Sequence, residues 1–179
     1  MAAATAQIQA PLPTAPAVAA AAPAARESTV KAAFLFRFGS FVEWPAGTFA
    51  SATEPLVIGI VGEDSVATDL EQISAGRTVD GRPLRVLRLR DPAQSERTHI
   101  LYLGNLRNAR LREFLPAPSA PVLVVSERED AARLHSALYF GMDGGRIRFS
   151  AAPAAAEARG LRLSARLLTV AQDVQGHSR

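Results

Sequence analysis

An α/β fold is what this sequence predicts: a single three-layer domain on a mixed sheet of about six strands, with about five helices and an antiparallel hairpin. Three observations predict it. Short apolar runs rich in β-branched residues, such as LVIGIV at Leu56 to Val61, recur along the chain and read as buried strands. Segments with helical spacing and helix-start residues separate them. Near the C-terminal end, SALYFGMDGGRIRFS reads as two strands joined by a tight turn, which gives the sheet an antiparallel edge.

The chain opens on a different material. MAAATAQIQAPLPTAPAVAAAAPAA is Ala with four prolines and carries no charge before Arg26. Proline breaks helix and sheet pairing, and Ala buries too little surface to offset ordering entropy. Residues 1–27 are therefore expected to be a disordered or polyproline-like tail. The stretch lacks the basic start and unbroken apolar core of an intact signal peptide. It reads either as the remnant downstream of one or as the product of a misassigned start. An ordered domain is expected over 28–175, with a short tail at 176–179.

From Ser28 a helix is expected, with the Ser28 hydroxyl as its cap and Pro45 as its stop. The segment KAAFLFRFGSFVEWP, Lys31 to Pro45, holds five of the chain's aromatics, its only Trp and its only Lys; the whole chain has eight Phe and two Tyr. Helical spacing puts Val30, Phe34, Phe38 and Phe41 on one face, as a core stripe would be. Phe36 points to the opposite side. Arg37 falls inside the stripe and must snorkel or find a carboxylate.

After the strand at Leu56–Val61, Gly62 turns the chain and Asp64 or Ser65 starts a helix through Ser74. VDGRP is a turn. LRVLRLR, Leu84 to Arg90, partly alternates apolar residues with Arg, as a half-exposed strand does. HILYL, His99 to Leu103, and PVLVVS, Pro121 to Ser126, are further strands. Asn105 is expected to cap a helix to Leu115, and another helix to run from Arg128 to Leu134. Asp143-Gly144 is expected in the hairpin turn. Helical segments at Ala154–Arg159 and Ser164–Asp173, joined at Gly160, close the chain.

Composition narrows the function. At 179 residues, 48% hydrophobic and 21% charged, the chain has the balance of a globular domain. It has no run of eighteen apolar residues, so no direct membrane insertion is expected. The net charge of +3 is small and its Arg residues are scattered among acids, which argues against nucleic acid as a partner. With no Cys, thiol nucleophiles, disulfides and thiolate-held metals are excluded. GIVGED follows a strand but lacks the G-x-G-x-x-G and Gly-Lys-Ser/Thr patterns of phosphate loops. His99, His135 and His177 lack metal-ligand spacing, so no metal and no cofactor is expected. Ser126 is not in a G-x-S-x-G elbow. Glu127, Glu129 and Asp130 read as first-turn acids favourable to a helix dipole. No catalytic set assembles, and the chain is expected not to be an enzyme.

Several stretches taken together resemble one family. VKAAFLFRFGSFVEWP looks like the opening signature of YfiR/HmsC-like periplasmic proteins. LVIGIVGED, GRPLRV, THILYLGN, PVLVVSE, GGRIRF and GLRLSARLLTVA follow in the family's order, and the resemblance spans Thr29 to Val174. Three departures stand out. The paired glycines usual before the hairpin are replaced around His135-Ser136, the Asn usual after RF is replaced near Ala151-Ala152, and the cysteine pairs of some members are missing. The resemblance implies regulation rather than catalysis. Such proteins reside in the periplasm and bind the sensor domain of a membrane-bound diguanylate cyclase, which lowers cyclic di-GMP and suppresses biofilm formation. The residues alone support only a binding module. A small-molecule sensor with a pocket at the strand ends, and a hydrolase with an unrecognised site, stay open as alternatives.

Four residues are singled out on this reading. Phe36 and Trp44 are expected as partner or homodimer anchors, because exposed aromatics supply hot spots. The competing reading is that Trp44 plugs the sheet edge and Phe36 packs under a second element. Arg162 and Ser164, if the chain is extended after Gly160, point the same way and are candidates to hold a carboxylate or phosphate. The competing reading is a surface Arg and a helix-capping Ser.

Overall fold

The computed structural model describes residues 22–104, 109–127 and 130–175, with backbone only at 22–26, 109 and 133. The expected tail falls largely outside these residues, as do the C-terminal tail, Asn105 and His177.

Two sheets and five α-helices make up the domain. Helix α1 (Ala22–Phe38) runs into a 3-10 turn and the short strand β1 (Val42–Glu43). Strand β2 (Leu56–Val61), helix α2 (Asp64–Ser74), and strands β3 (Thr78–Val79) and β4 (Arg82–Arg88) follow. Strands β5 (Ile100–Leu103) and β6 (Leu123–Glu127) come next, then α3 (Ala131–Leu134), β7 (Leu138–Asp143) and β8 (Arg146–Ala151). Helix α4 (Pro153–Glu157), strand β9 (Arg162–Leu163) and helix α5 (Ala165–Val170) end the domain.

The main sheet has seven strands in the order β3-β4-β2-β5-β6-β7-β8. Five central strands run parallel, and β3 and β8 are antiparallel edges. The chain leaves β2 toward β4 on one side and returns to β5 on the other. The carboxyl ends of β2 and β5 are therefore a topological switch point, where crevices form in α/β sheets. Alternate side chains feed two separate cores. Ile58, Ile60, Ile100, Tyr102 and Val125 pack under α1 and α2, whereas Val61, Leu101, Leu103 and Val124 pack on the other face with Leu111, Phe114 and Leu134. That is the three-layer α/β arrangement, with one more strand in the main sheet than the sequence predicts. The second sheet, β1 paired with β9, has no alternation long enough to read.

Several local expectations change. Helix α1 starts before Ser28, so Ser28 is no cap; it is buried and donates to Asp69 Oδ2 of α2 at 2.6 Å. The buried face of α1 carries Lys31, Ala32, Leu35 and Phe38, and Val30 is exposed. That face is rotated roughly a quarter-turn from the aromatic stripe. Sheet and α2 both press on the helix, so its burial follows them rather than its most apolar line. Phe36 flanks the buried face on the side away from Phe34 and is half-buried against the core. The helix ends at Phe38 rather than Trp44 because the next residues pair with β9: Val42 faces Leu163 and Glu43 faces Arg162. Asp143 belongs to β7, opposite Arg146, and the turn is Gly144-Gly145, both at positive φ as a two-residue hairpin loop requires. Residues 109–114 form a 3-10 helix rather than an α-helix.

Gly39 closes α1 at a point of tight contact. A Cβ there would lie 2.5 Å from Leu56 Cδ2 and 2.9 Å from Val79 Cγ1. Gly39→Ala is expected to overpack this corner and lower stability by about 1–2 kcal/mol, read by urea denaturation.

Candidate functional site

The sole lysine is the centre of a charged cluster at the switch point. Lys31 is buried, with its Nζ 2.9 Å from Glu27, 3.4 Å from Glu63 and 3.0 Å from Glu127. These carboxylates come from three places: one turn earlier on α1, the turn after β2, and the last residue of β6. Tyr102 on β5 donates its hydroxyl to Glu127 Oε1 at 2.5 Å. Gly104 makes room for Glu63, since a Cβ there would lie 2.8 Å from Glu63 Cγ. Burial, the largest single influence, opposes the Lys31 charge; Glu27, Glu127 and Glu63 together outweigh it and raise its pKa above the usual lysine range. Burial also raises Glu127, against the hydroxyl of Tyr102 and the ammonium of Lys31, which favour its ionised form. Tyr102 is pushed up by burial and by Glu127 and Glu63, so it stays a neutral donor. A cavity of about 400 Å³ opens beside the cluster, walled by Asp130, Phe140, Met142 and Ile147.

This set holds charges against each other. Its carboxylates favour the charged form of the lysine, and its acids are bonded to Lys31 and Tyr102. Among the described residues no group of three or more His, Asp or Glu is placed to hold a metal ion. Glu127, read from sequence as a first-turn helix acid, instead ends β6 and meets α1.

A second concavity is apolar. A groove of about 540 Å³ runs between the last turns of α1, strand β8 and α5. Phe34, Phe38, Phe41, Phe149, Leu167 and Val170 line it, with the exposed Arg37 and Arg166 beside them. Its aromatic floor is one ring cluster: Phe34 and Phe38 stack at 6.1 Å, and Phe149 meets both edge-on at 5.3 and 5.1 Å. Val170 is 67% exposed and lies beside the aromatic floor, so the two together form an apolar surface. Arg37 thus escapes the core by lying at this groove.

Trp44 is half-buried, edge-on to Phe49 at 6.0 Å and to His99 at 5.9 Å. Neither Trp44 nor Phe36 lines the groove. Arg162 is exposed on β9, opposite Glu43. Ser164 caps α5, its Oγ accepting from the Leu167 N–H at 3.3 Å. The groove was beyond sequence reasoning because it needs α5 folded back onto α1. The exposed Val170 within an Arg-containing helix is the one local sign of it. Among the described residues no helix is long and apolar enough to cross a membrane.

A profile of the YfiR/HmsC-like family matches residues 28–172. Among solved structures, the chain is similar to a conserved domain protein from Vibrio cholerae O1 biovar El Tor, at 15% identity and a TM-score of 0.47. The similarity covers 67% of this chain and 55% of that one, so the chain spans about half the length of that protein. No curated protein matches.

Proposed function

We propose, because the chain belongs to the YfiR/HmsC-like family, that it is a regulator which binds and inhibits the sensor domain of an inner-membrane diguanylate cyclase. The family is one of periplasmic, non-catalytic regulators of cyclic di-GMP signalling. The inhibitory contact, the lowered cyclic di-GMP and the reduced biofilm are the reading specific to this chain. The single observation that carries it is the groove between α1 and α5. It offers an aromatic floor, an exposed Val170 and two guanidiniums, which suits an apolar partner segment bearing carboxylates. Phe36 and Trp44, half-buried and outside the groove, are proposed as further partner contacts beside it. Two copies facing a dimeric cyclase would form a homodimer, the commonest oligomer. An inhibitor of this kind need only prefer the inactive sensor arrangement; a hundredfold preference is about 2.7 kcal/mol.

Deletion and complementation in the native bacterium test this. Deletion is expected to raise cyclic di-GMP only while the cyclase is present, and an exported copy to restore the low level where a cytoplasmic copy does not. Unchanged cyclic di-GMP with the cyclase expressed overturns the reading. A second reading, a small-molecule sensor, is favoured by the cavity at the strand ends, the usual place for ligands in such sheets. Melting that shifts with a small ligand, and no cyclase dependence, is its signature.

A further inference from the structure

At the end of the sheet opposite Lys31, the loop between β1 and β2 is held by an imidazole and a guanidinium. His99 is buried at the start of β5. Its Nδ1 accepts the backbone N–H of Val57 at 3.0 Å, so in the neutral ring the proton is on Nε2. The Thr48 backbone lies against the ring and favours a ring N–H. Phe49, carried by the same loop, stacks on the imidazole at 4.4 Å and 20°. The Arg82 guanidinium lies 3.9 Å from the centre of the Phe49 ring. Two groups that close to one centroid must take opposite faces, so Phe49 is held between His99 and Arg82. Arg82 also donates to the carbonyls of Ser51, at 2.6 Å, and Glu54, at 3.1 Å. Trp44 closes the stack edge-on.

We propose that His99 is an acid-released latch, whose protonation frees the 45–55 loop and bares Trp44 and Phe49. A second proton has one place to go, Nδ1. There it replaces an acceptor with a donor facing the Val57 N–H, and the bond that seats the ring is lost. The new cation shares the Phe49 ring with the Arg82 guanidinium, and like charges this close repel. Glu54 is the carboxylate facing the ring and favours its charge; Arg82 opposes it; the Thr48 backbone favours it. Burial outweighs these and lowers the pKa below the usual 6.5, so the latch holds at neutral pH and opens as pH falls below 6.5. The linkage sign follows. A histidine with a depressed folded pKa leaves the closed loop fully stable above the ordinary value, and that stability is lost as pH falls below it.

Trp44 is the only tryptophan, so its fluorescence reports this loop without labels. As pH falls from about 8 to values well below the ordinary histidine range, acrylamide quenching of Trp44 is expected to rise about twofold or more, while far-UV circular dichroism stays constant. His99→Asn keeps an acceptor for the Val57 N–H but takes up no proton in this range, and the rise is expected to vanish. Imidazolium quenching alone would dim the emission without increasing acrylamide access. In the wild-type protein, hydrogen exchange across 45–57, corrected for intrinsic rates, is expected to accelerate over the same interval. This arm stands even where the variant fails to fold. Unchanged acrylamide access and exchange, or the same transition in a folded His99→Asn protein, overturns the latch.

Discussion

Lys31→Met is expected to lower stability by about 3 kcal/mol at neutral pH, the lower end of what removing one partner of a buried ion pair costs. The substitution keeps the length and apolar stem of the side chain, so packing on α1 is largely preserved. What remains is Glu127, Glu63 and Glu27 around a site with no countercharge. Glu27 and Glu63 retain some solvent, which holds the cost below that of a fully enclosed cluster. The pH dependence separates charge from shape. In the wild type, the raised Lys31 pKa contributes stability that is fully present below 10.5 and is lost as pH rises through the folded value. Glu127, also raised, contributes stability present below 4.5 and lost as pH rises through its folded value. Without the lysine, Glu127 takes up its proton at still higher pH. Acidification therefore relieves the variant more than the wild type. The difference between them, read by urea denaturation, is expected to be smaller near pH 5 than near pH 7. An equal difference at both pH values would mean that Lys31 contributes by packing alone.

Six of the seven strands of the main sheet were legible because each carries its own signal; β3, two residues beside a predicted turn, was not. LVIGIV, ILYL and LVVSE are apolar enough to be buried on both faces, and the hairpin was legible with its turn placed one residue early, at Asp143-Gly144 rather than Gly144-Gly145. What was not legible depends on contacts between distant segments. Lys31 reads as an ordinary helix residue until Glu63 and Glu127, 32 and 96 positions away, arrive at the same strand ends. The isolated lysine in an Arg-rich chain, with Glu after two predicted strands, was the available hint. The same holds for α1, whose aromatic stripe is not its buried face. Periodicity gives the apolar line of a helix, whereas its neighbours decide which side is covered. Strands β1 and β9, of two residues each, exist only because they pair. His99 likewise reads as a strand residue until the loop carrying Phe49 lies over it.

Val170→Asp is expected to weaken partner binding about a hundredfold, some 2.7 kcal/mol, while leaving the fold unchanged within about 0.5 kcal/mol. The two numbers follow from the same exposure. Val170 is 67% exposed in the free chain, so little of the folded core depends on it. In a complex its methyl groups would cover the aromatic floor formed by Phe34, Phe38 and Phe149. An aspartate there places a charge in a contact that excludes water. It also lies one helical turn from Arg166, where an i,i+4 pair occupies a guanidinium that the partner's carboxylates would otherwise use. Affinity to the purified sensor domain and urea denaturation of the variant read the two effects separately. Arg37→Ala and Arg166→Ala are expected to act differently, slowing association and flattening its salt dependence with less change in dissociation. In the cell, Val170→Asp is expected to mimic deletion, with cyclic di-GMP raised and protein level unchanged. Full repression by a stably folded Val170→Asp protein would place the inhibitory contact away from the groove and shift attention to Phe36 and Trp44.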